Sequence, residues 1–290
     1  MPEPQSSLAH SAVTFSLNHG LVHGFSLGEP TAPVILCLHG WLDNAGSFIP
    51  LMQSFCDLGL TQQHHFVVVD LPGHGLSEHK AGMYHFADWI DDVYQLLVAL
   101  GPRPVILLGH SLGALVACCV AAAFPERVSQ LIMLEGAGPL TQSSSTTTSH
   151  LRQAILSRQK NAPVKPRALS QLQQAKAKAL GLTVAQVHEI VSRGVKPTEY
   201  GMVWSHDPKL TWLSPVRFAE PQAQQIIKDI QCPTLVILGE QGYLNIKQQL
   251  LQRMALFQRL TQQTLAGNHH LHLQNNQQVA AAIKEFLVTL

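Results

Sequence analysis

The sequence predicts an α/β fold built on a mostly parallel sheet, with a helical block inserted late in the chain. Three observations carry this. Continuous apolar runs without alternation recur at 34–38, 66–69, 105–108, 131–134 and 234–238, and such runs suit strands buried on both faces. Stretches of helical length separate the early runs, at 47–58, 86–100 and 112–124. The strand–helix alternation then stops after Leu134 and resumes only at Thr234.

Each element follows from local pattern. Residues 1 to about 10 read as a loose tail. The segments 12–17 and 21–26 flank Asn18-His19-Gly20, a hairpin signal with glycine available for positive φ, and this pair adds an antiparallel edge. In the second helix, Ile90, Val93, Leu96, Leu97 and Leu100 recur at spacings of three and four on one face. Pro125 stops the third. Alternation of this kind implies βαβ units. The polar run from Gln142 to Ser149 reads as a mobile connector. After it, 150–160, 167–180 and 183–194 read as helices punctuated by Pro163, Pro166, Pro197 and Pro208. A last helix spans 276–290, with Val279, Ile283, Phe286 and Leu287 on one side. The organisation expected is a first core part at 11–136, a helical insertion at 137–229 and a second core part at 230–290.

Composition bounds the function. The chain has 290 residues, of which 46% are apolar and 13% charged, with a formal net charge of +1 and no basic block. Nothing favours nucleic acid or an anionic membrane as partner. The cysteines Cys37, Cys56, Cys118, Cys119 and Cys232 form no metal-ligand spacing and read as free, mostly buried thiols of a reducing compartment. The N-terminus lacks the pattern of a secretory signal, and no apolar run reaches the length of a membrane helix. The expectation is a cytoplasmic protein; oligomeric state is not legible.

The chemistry-bearing signal is Gly109-His110-Ser111-Leu112-Gly113, a Gly-x-Ser-x-Gly joining a buried strand to a helix. A sharp turn there holds Ser111 in a strained conformation and thrusts its hydroxyl out at the carboxyl end of the sheet, while glycines on either side let backbone pass closely. The bland alternative is an elbow whose serine does no chemistry. An acyl-transfer transition state needs two donors for its oxyanion. The Leu112 N–H supplies one, and the Trp41 N–H, in the loop after the first central strand, the other. The alternative is that His39-Gly40 is only a turn and Trp41 core. The general base is expected from Gly267-Asn268-His269-His270-Leu271-His272, with His269 as the base and His270 or His272 packing or hydrogen bonding beside it. No carboxylate or cysteine stands at a spacing that would make this a metal cluster.

The segments 37–48 and 70–77, together with Gly267-Asn268-His269, resemble the serine hydrolase-like protein family, and nearly the whole chain resembles the α/β-hydrolase superfamily. The resemblance implies an eight-stranded sheet, a helical cap after the sixth strand and no cofactor. Many relatives carry the triad acid in the loop after the seventh strand, at the position that is Gly242 here. The triad still needs a carboxylate to orient the imidazole. Glu135, at the end of the sixth strand, is the first choice, as in some haloalkane dehalogenases; Glu240 is the second. Serine at 111 argues against dehalogenase or epoxide-hydrolase chemistry, which needs a carboxylate nucleophile. Asp70 reads as a loop anchor and Asp43-Asn44 as a helix cap. Tyr200, Trp204 and Trp212 are candidates to wall an apolar pocket in the cap, or else pack its core. The function expected is a serine hydrolase taking a small acyl substrate and water, a carboxylic ester by default; thioesters, lactones and C–C bonds beside a carbonyl use the same parts. A non-catalytic binding protein on the same scaffold is the alternative.

Overall fold

The computed structural model describes residues 8–159 and 165–289. Its main sheet has eight strands: β1 (Ser11–Leu17), β2 (Gly20–Gly28), β3 (Val34–Leu38), β4 (His65–Val69), β5 (Val105–His110) and β6 (Val128–Leu134), followed after a long insert by β9 (Thr234–Gln241) and β10 (Leu260–Asn268). The spatial order is β1-β2-β4-β3-β5-β6-β9-β10. The first two strands pair antiparallel, as β2 does with β4, and the other pairings are parallel. The turn at Asn18-His19 closes β1 on β2, with Gly20 at φ 129°. Most of the expected tail lies outside the described residues.

The unalternating runs are explained by burial on both faces. Leu36, Leu38, Val67, Val69, Leu107, Leu131, Met133, Val236 and Leu238 belong to one apolar cluster, shared with α2 (Phe86–Ala99) and α3 (Leu112–Ala123). Ile35, Cys37, Phe66, Val68, Ile106, Leu108, Ile132, Leu134, Leu235 and Ile237 point the other way, onto α1 (Ile49–Asp57) and the C-terminal helix. The period-two geometry of strands sorts neighbouring residues onto these opposite faces.

Between β6 and β9 lies the insert. It contains α4 (Thr147–Ser157), α5 (Leu169–Leu180), α6 (His188–Gly194) and α7 (Glu220–Lys228). Gly181 ends α5 in the left-handed conformation at φ 64°. The insert differs from a purely helical block: β7 (Val195–Thr198) and β8 (Gly201–Trp204) form an antiparallel hairpin. Each has four residues and β7 contains Pro197, too little pattern for a strand signal. The hydroxyl-rich stretch expected as a connector is also more ordered than read. Ser144–Thr146 makes one 3-10 turn and Thr147 opens α4, with the Thr146 hydroxyl donating to Ser143 O at 2.9 Å. The last insert helix, α7, packs by Ile227 in the cluster that surrounds α3, so that end of the insert belongs with the core.

The chain after β9 supplies α8 (Leu244–Arg253), α9 (Leu271–Gln274) and α10 (Asn276–Val288). Arg253 is fully buried and clasps both ends of the insert. Its guanidinium donates to Ala137 O at 2.9 Å and Pro139 O at 3.0 Å at the entry, and to Glu220 Oε1 at 2.9 Å at the exit. None of the helices among the described residues is long and apolar enough to cross a membrane.

Candidate active site

The functional candidates converge at the carboxyl ends of neighbouring strands. Ser111 leaves β5 at φ 49° and ψ −115°, outside the usual regions for a residue with a side chain. Its N–H donates to Leu134 O at 2.9 Å, locking the elbow against the end of β6. Gly113 is required where the turn passes β3, because a Cβ there would collide with the Leu38 carbonyl. Leu112 opens α3, and the Trp41 N–H lies in the loop beyond β3; among the described residues neither N–H has an acceptor in the chain. The Trp41 side chain is 51% exposed and ties the loop to the insert, its indole N–H donating to Leu210 O at 2.9 Å.

One residue beyond β6, Glu135 is buried with φ 51°. Its Oε1 accepts from Gly239 N–H at 2.7 Å, and its Oε2 from Tyr243 N–H at 3.4 Å and from His269 Nδ1 at 2.9 Å. The carboxylate fixes the imidazole tautomer: Nδ1 carries the proton, so Nε2 keeps a lone pair. The Tyr243 ring stacks on the His269 ring with centroids 4.2 Å apart, a neighbour that sequence reading did not single out. Glu240, in contrast, is exposed, and among the described residues its carboxylate reaches only the Gln241 amide at 3.4 Å. Strand order explains the difference. β6 lies beside β9, so an acid at the end of β6 reaches the space above the β9 loop. A Cβ at Gly242 would fall on that acid, 2.7 Å from Glu135 Cδ. The glycine is thus the counterpart of the glutamate.

Around this pair sits a histidine cluster. His110 Nε2 donates to His269 O at 2.8 Å. His272 packs with its ring centroid 4.2 Å from that of His110, and among the described residues neither of its nitrogens has a partner. Burial, reinforced by the neighbouring imidazoles, holds the His110 pKa well below its ordinary value. Burial and then His270 push that of His272 down to about 3. Both rings are therefore neutral near pH 7. His270 Nε2 lies 3.3 Å from Asp43 Oδ2, and Lys176 Nζ, from α5, lies 2.9 Å from Asp43 Oδ1. Burial is the largest single influence on Asp43 and opposes its charge, but Lys176 and His270 outweigh it and leave the carboxyl well below the usual range. Asp43, His110 and His270 present ligand-type atoms within 4.8 Å of one another, yet Lys176 already supplies the cation that balances Asp43.

Asp43 therefore does more than cap a helix; Asn44 does the capping, accepting from Gly46 N–H at 2.9 Å. Asp70 is a loop anchor, accepting from Ala45 N–H at 2.7 Å and Leu76 N–H at 2.8 Å, and it also pairs with Arg193 of α6 at 2.9 Å. The three insert aromatics do not meet. Tyr200 is 79% exposed in the β7–β8 turn, Trp204 packs in the small apolar cluster of the insert with Leu172, Val187 and Val191, and Trp212 is half-buried after Leu210. The cysteines are free, with Cys37, Cys118, Cys119 and Cys232 buried.

Comparison with known proteins agrees with this fold. The sequence model of the alpha/beta hydrolase fold matches residues 33–276. The chain is 30% identical over 288 residues to a probable serine hydrolase of Drosophila melanogaster, covering 92% of this chain and 85% of that protein. It is 29% identical over 305 residues to human serine hydrolase-like protein 2, covering 96% and 94% respectively. A solved structure of a hypothetical protein from Pseudomonas aeruginosa PAO1 matches with a TM-score of 0.86 at 29% identity, covering 97% of this chain and 100% of that one. The chain belongs to the α/β-hydrolase fold family and, within it, is similar over nearly its whole length to the serine hydrolase-like proteins.

Proposed function

We propose that this protein is a serine hydrolase that works by acyl transfer through Ser111, His269 and Glu135. The observation that carries the reading is the buried Glu135–His269 contact of 2.9 Å, formed where Gly242 leaves room for it. His269 Nε2 takes the Ser111 proton as the hydroxyl oxygen attacks a substrate carbonyl. Glu135 stabilises the imidazolium that results. The Trp41 and Leu112 N–H groups receive the oxyanion. The imidazolium then protonates the leaving group. Water, activated by the same histidine, releases the acid from the acyl-enzyme and regenerates the serine.

The insert acts as a cap over the site, held to the loops after β3 and β4 through Trp41–Leu210, Asp43–Lys176 and Asp70–Arg193. Trp204 and Trp212 remain candidates for its substrate-facing wall; the exposure of Tyr200 argues for a place at the rim. The default substrate is a small carboxylic ester, and thioesters, lactones and activated C–C bonds are alternatives for the same machinery. A binding-only role, motivated by the missing carboxylate at 242 and by the general gap between fold and function, is weakened by the Glu135–His269 contact.

The test is labelling by a fluorophosphonate probe with the adduct mapped by mass spectrometry. The expected result is one adduct, on Ser111, absent from folded Ser111→Ala. An unlabelled, well-folded wild-type protein that also fails to react with a small sulfonyl fluoride would overturn the reading.

A further inference from the structure

The residues on either side of His269 are both tied to a single helix of the insert. On one side, Asn268 Nδ2 donates to Leu180 O at 2.9 Å, at the C-terminal end of α5. On the other, His270 contacts Asp43, and Asp43 is held by Lys176 of the same helix, whose ammonium also donates to Leu42 O at 2.9 Å. Asn268 Oδ1 accepts from His270 N–H at 2.7 Å and closes the loop on itself. The Asp43 side chain is 2% exposed and that of Lys176 11% exposed, so water screens this pair weakly.

We propose that α5 positions the catalytic base: Lys176, Asp43 and Asn268 are positioning residues that hold the 268–270 loop, so that His269 is in register only while α5 is seated. The inference rests on the triad assigned above. Glu135 fixes the ring by one nitrogen, but a single hydrogen bond leaves the ring free to pivot about it. The backbone on both sides must also be held. His110 provides one such tie, to the His269 carbonyl, and belongs to the core. The α5 ties belong to the insert. Seating of the insert is thereby coupled to assembly of the base, and a displaced insert leaves Ser111 without a proton acceptor in place.

The test uses the intact protein and three variants: Lys176→Met, Asn268→Ser, and Lys178→Met as a control, because Lys178 is exposed on the same helix. Two readouts separate positioning from packing. The first is the saturating rate of Ser111 phosphonylation, kinact, resolved from probe affinity, KI. Misplacement of the base is expected to lower kinact about ten- to hundredfold with KI changed less than about threefold, in both Lys176→Met and Asn268→Ser but not in the control. The second is the nitrogen-bound proton signal of His269 Nδ1 in the NMR spectrum, which is independent of the reaction. It is expected to shift or broaden in the first two variants and to stay in place in Lys178→Met. Folded Lys176→Met and Asn268→Ser proteins with wild-type kinact and an unmoved His269 signal would overturn the proposal. If the wild type does not react at all, the triad reading fails, and the NMR signal alone decides whether α5 holds the loop. A loss confined to KI would reduce Lys176 to a wall of the binding site and would also overturn it.

Discussion

The acid proposed for this site, Glu135, stands on a different strand end from the one that many relatives use, and two residues decide it. Glu135 adopts φ 51° to bring its carboxylate over the β9 loop, and Gly242 gives it the space. Gly242 is not itself at positive φ, so its backbone conformation does not demand glycine, and the nearest atoms that a Cβ would meet are those of the Glu135 carboxyl. Gly242→Ala is accordingly expected to push Glu135 off His269, lowering kcat at least tenfold and costing about 1–3 kcal/mol of stability by overpacking, measurable by steady-state hydrolysis and urea unfolding. The converse also follows: Glu135→Ala/Gly242→Asp should react at least tenfold faster than Glu135→Ala alone, because an aspartate would reoccupy the vacated space. Equal rates would show that the two positions are not interchangeable. Sequence alone could rank Glu135 above Glu240 from its place at the end of the sixth strand, where some haloalkane dehalogenases carry the acid, once the side chain at 242 was seen to be missing. It could not see that the glycine answers the glutamate, because the two lie on adjacent strands but far apart in the chain. The partnership of Asp43 with Lys176 escaped sequence reading for the same reason: its partner lies 133 positions away, on the insert.

Among elements, those with strong periodicity or buried strand runs were legible, and those without were not. The strands β3, β4, β5, β6 and β9 announce themselves because both faces are buried. The edge strand β10 reads LTQQTLAGN and is largely exposed or half-buried, so no apolar run marks it. The helices α7 and α8 are polar outside a few positions and gave no clear stripe; the former buries only Ala223 and Ile227, the latter Leu250 and Arg253. Arg253 looks like a surface residue in the sequence, yet its guanidinium fastens both ends of the insert. Its loss would leave the Ala137 and Pro139 carbonyls without a buried donor and free Glu220, whose carboxyl is held below its ordinary pKa chiefly by the hydrogen bond from Arg253. Arg253→Met is expected to destabilise the protein by about 3 kcal/mol and to raise proteolytic cleavage within 137–229 before the core is cut. Wild-type denaturation midpoints and an unchanged cleavage order would contradict the role of Arg253 as the clasp.

For the molecule as a whole, the mostly parallel sheet with its antiparallel edge follows from the pattern of strands and helices, whereas the polar interior does not. His39, His74, His110 and His272 are buried, and burial is the first cause of their depressed pKa values; His206 is likewise lowered to about 4. Below the ordinary histidine value the unfolded chain binds protons that these folded rings refuse. Their contribution is therefore complete above about pH 6.5 and is lost progressively as the pH falls toward the depressed folded values, each ring contributing up to about 1.4 kcal/mol per pH unit. Urea midpoints are expected to fall steeply from pH 6.5 to pH 5, and less steeply in His272→Leu; a flat profile in the wild type would show that these rings are not buried neutral. The central claim remains that Ser111 is activated through His269 by Glu135. It is tested most directly by the second-order rate constant of Ser111 phosphonylation in the wild type, Glu135→Gln and Glu240→Gln. The expected result is a loss on the order of 10³–10⁴ in Glu135→Gln and a change of less than about twofold in Glu240→Gln, whose exposed carboxylate interacts weakly. Full reactivity in Glu135→Gln, or a collapse in Glu240→Gln, would contradict it.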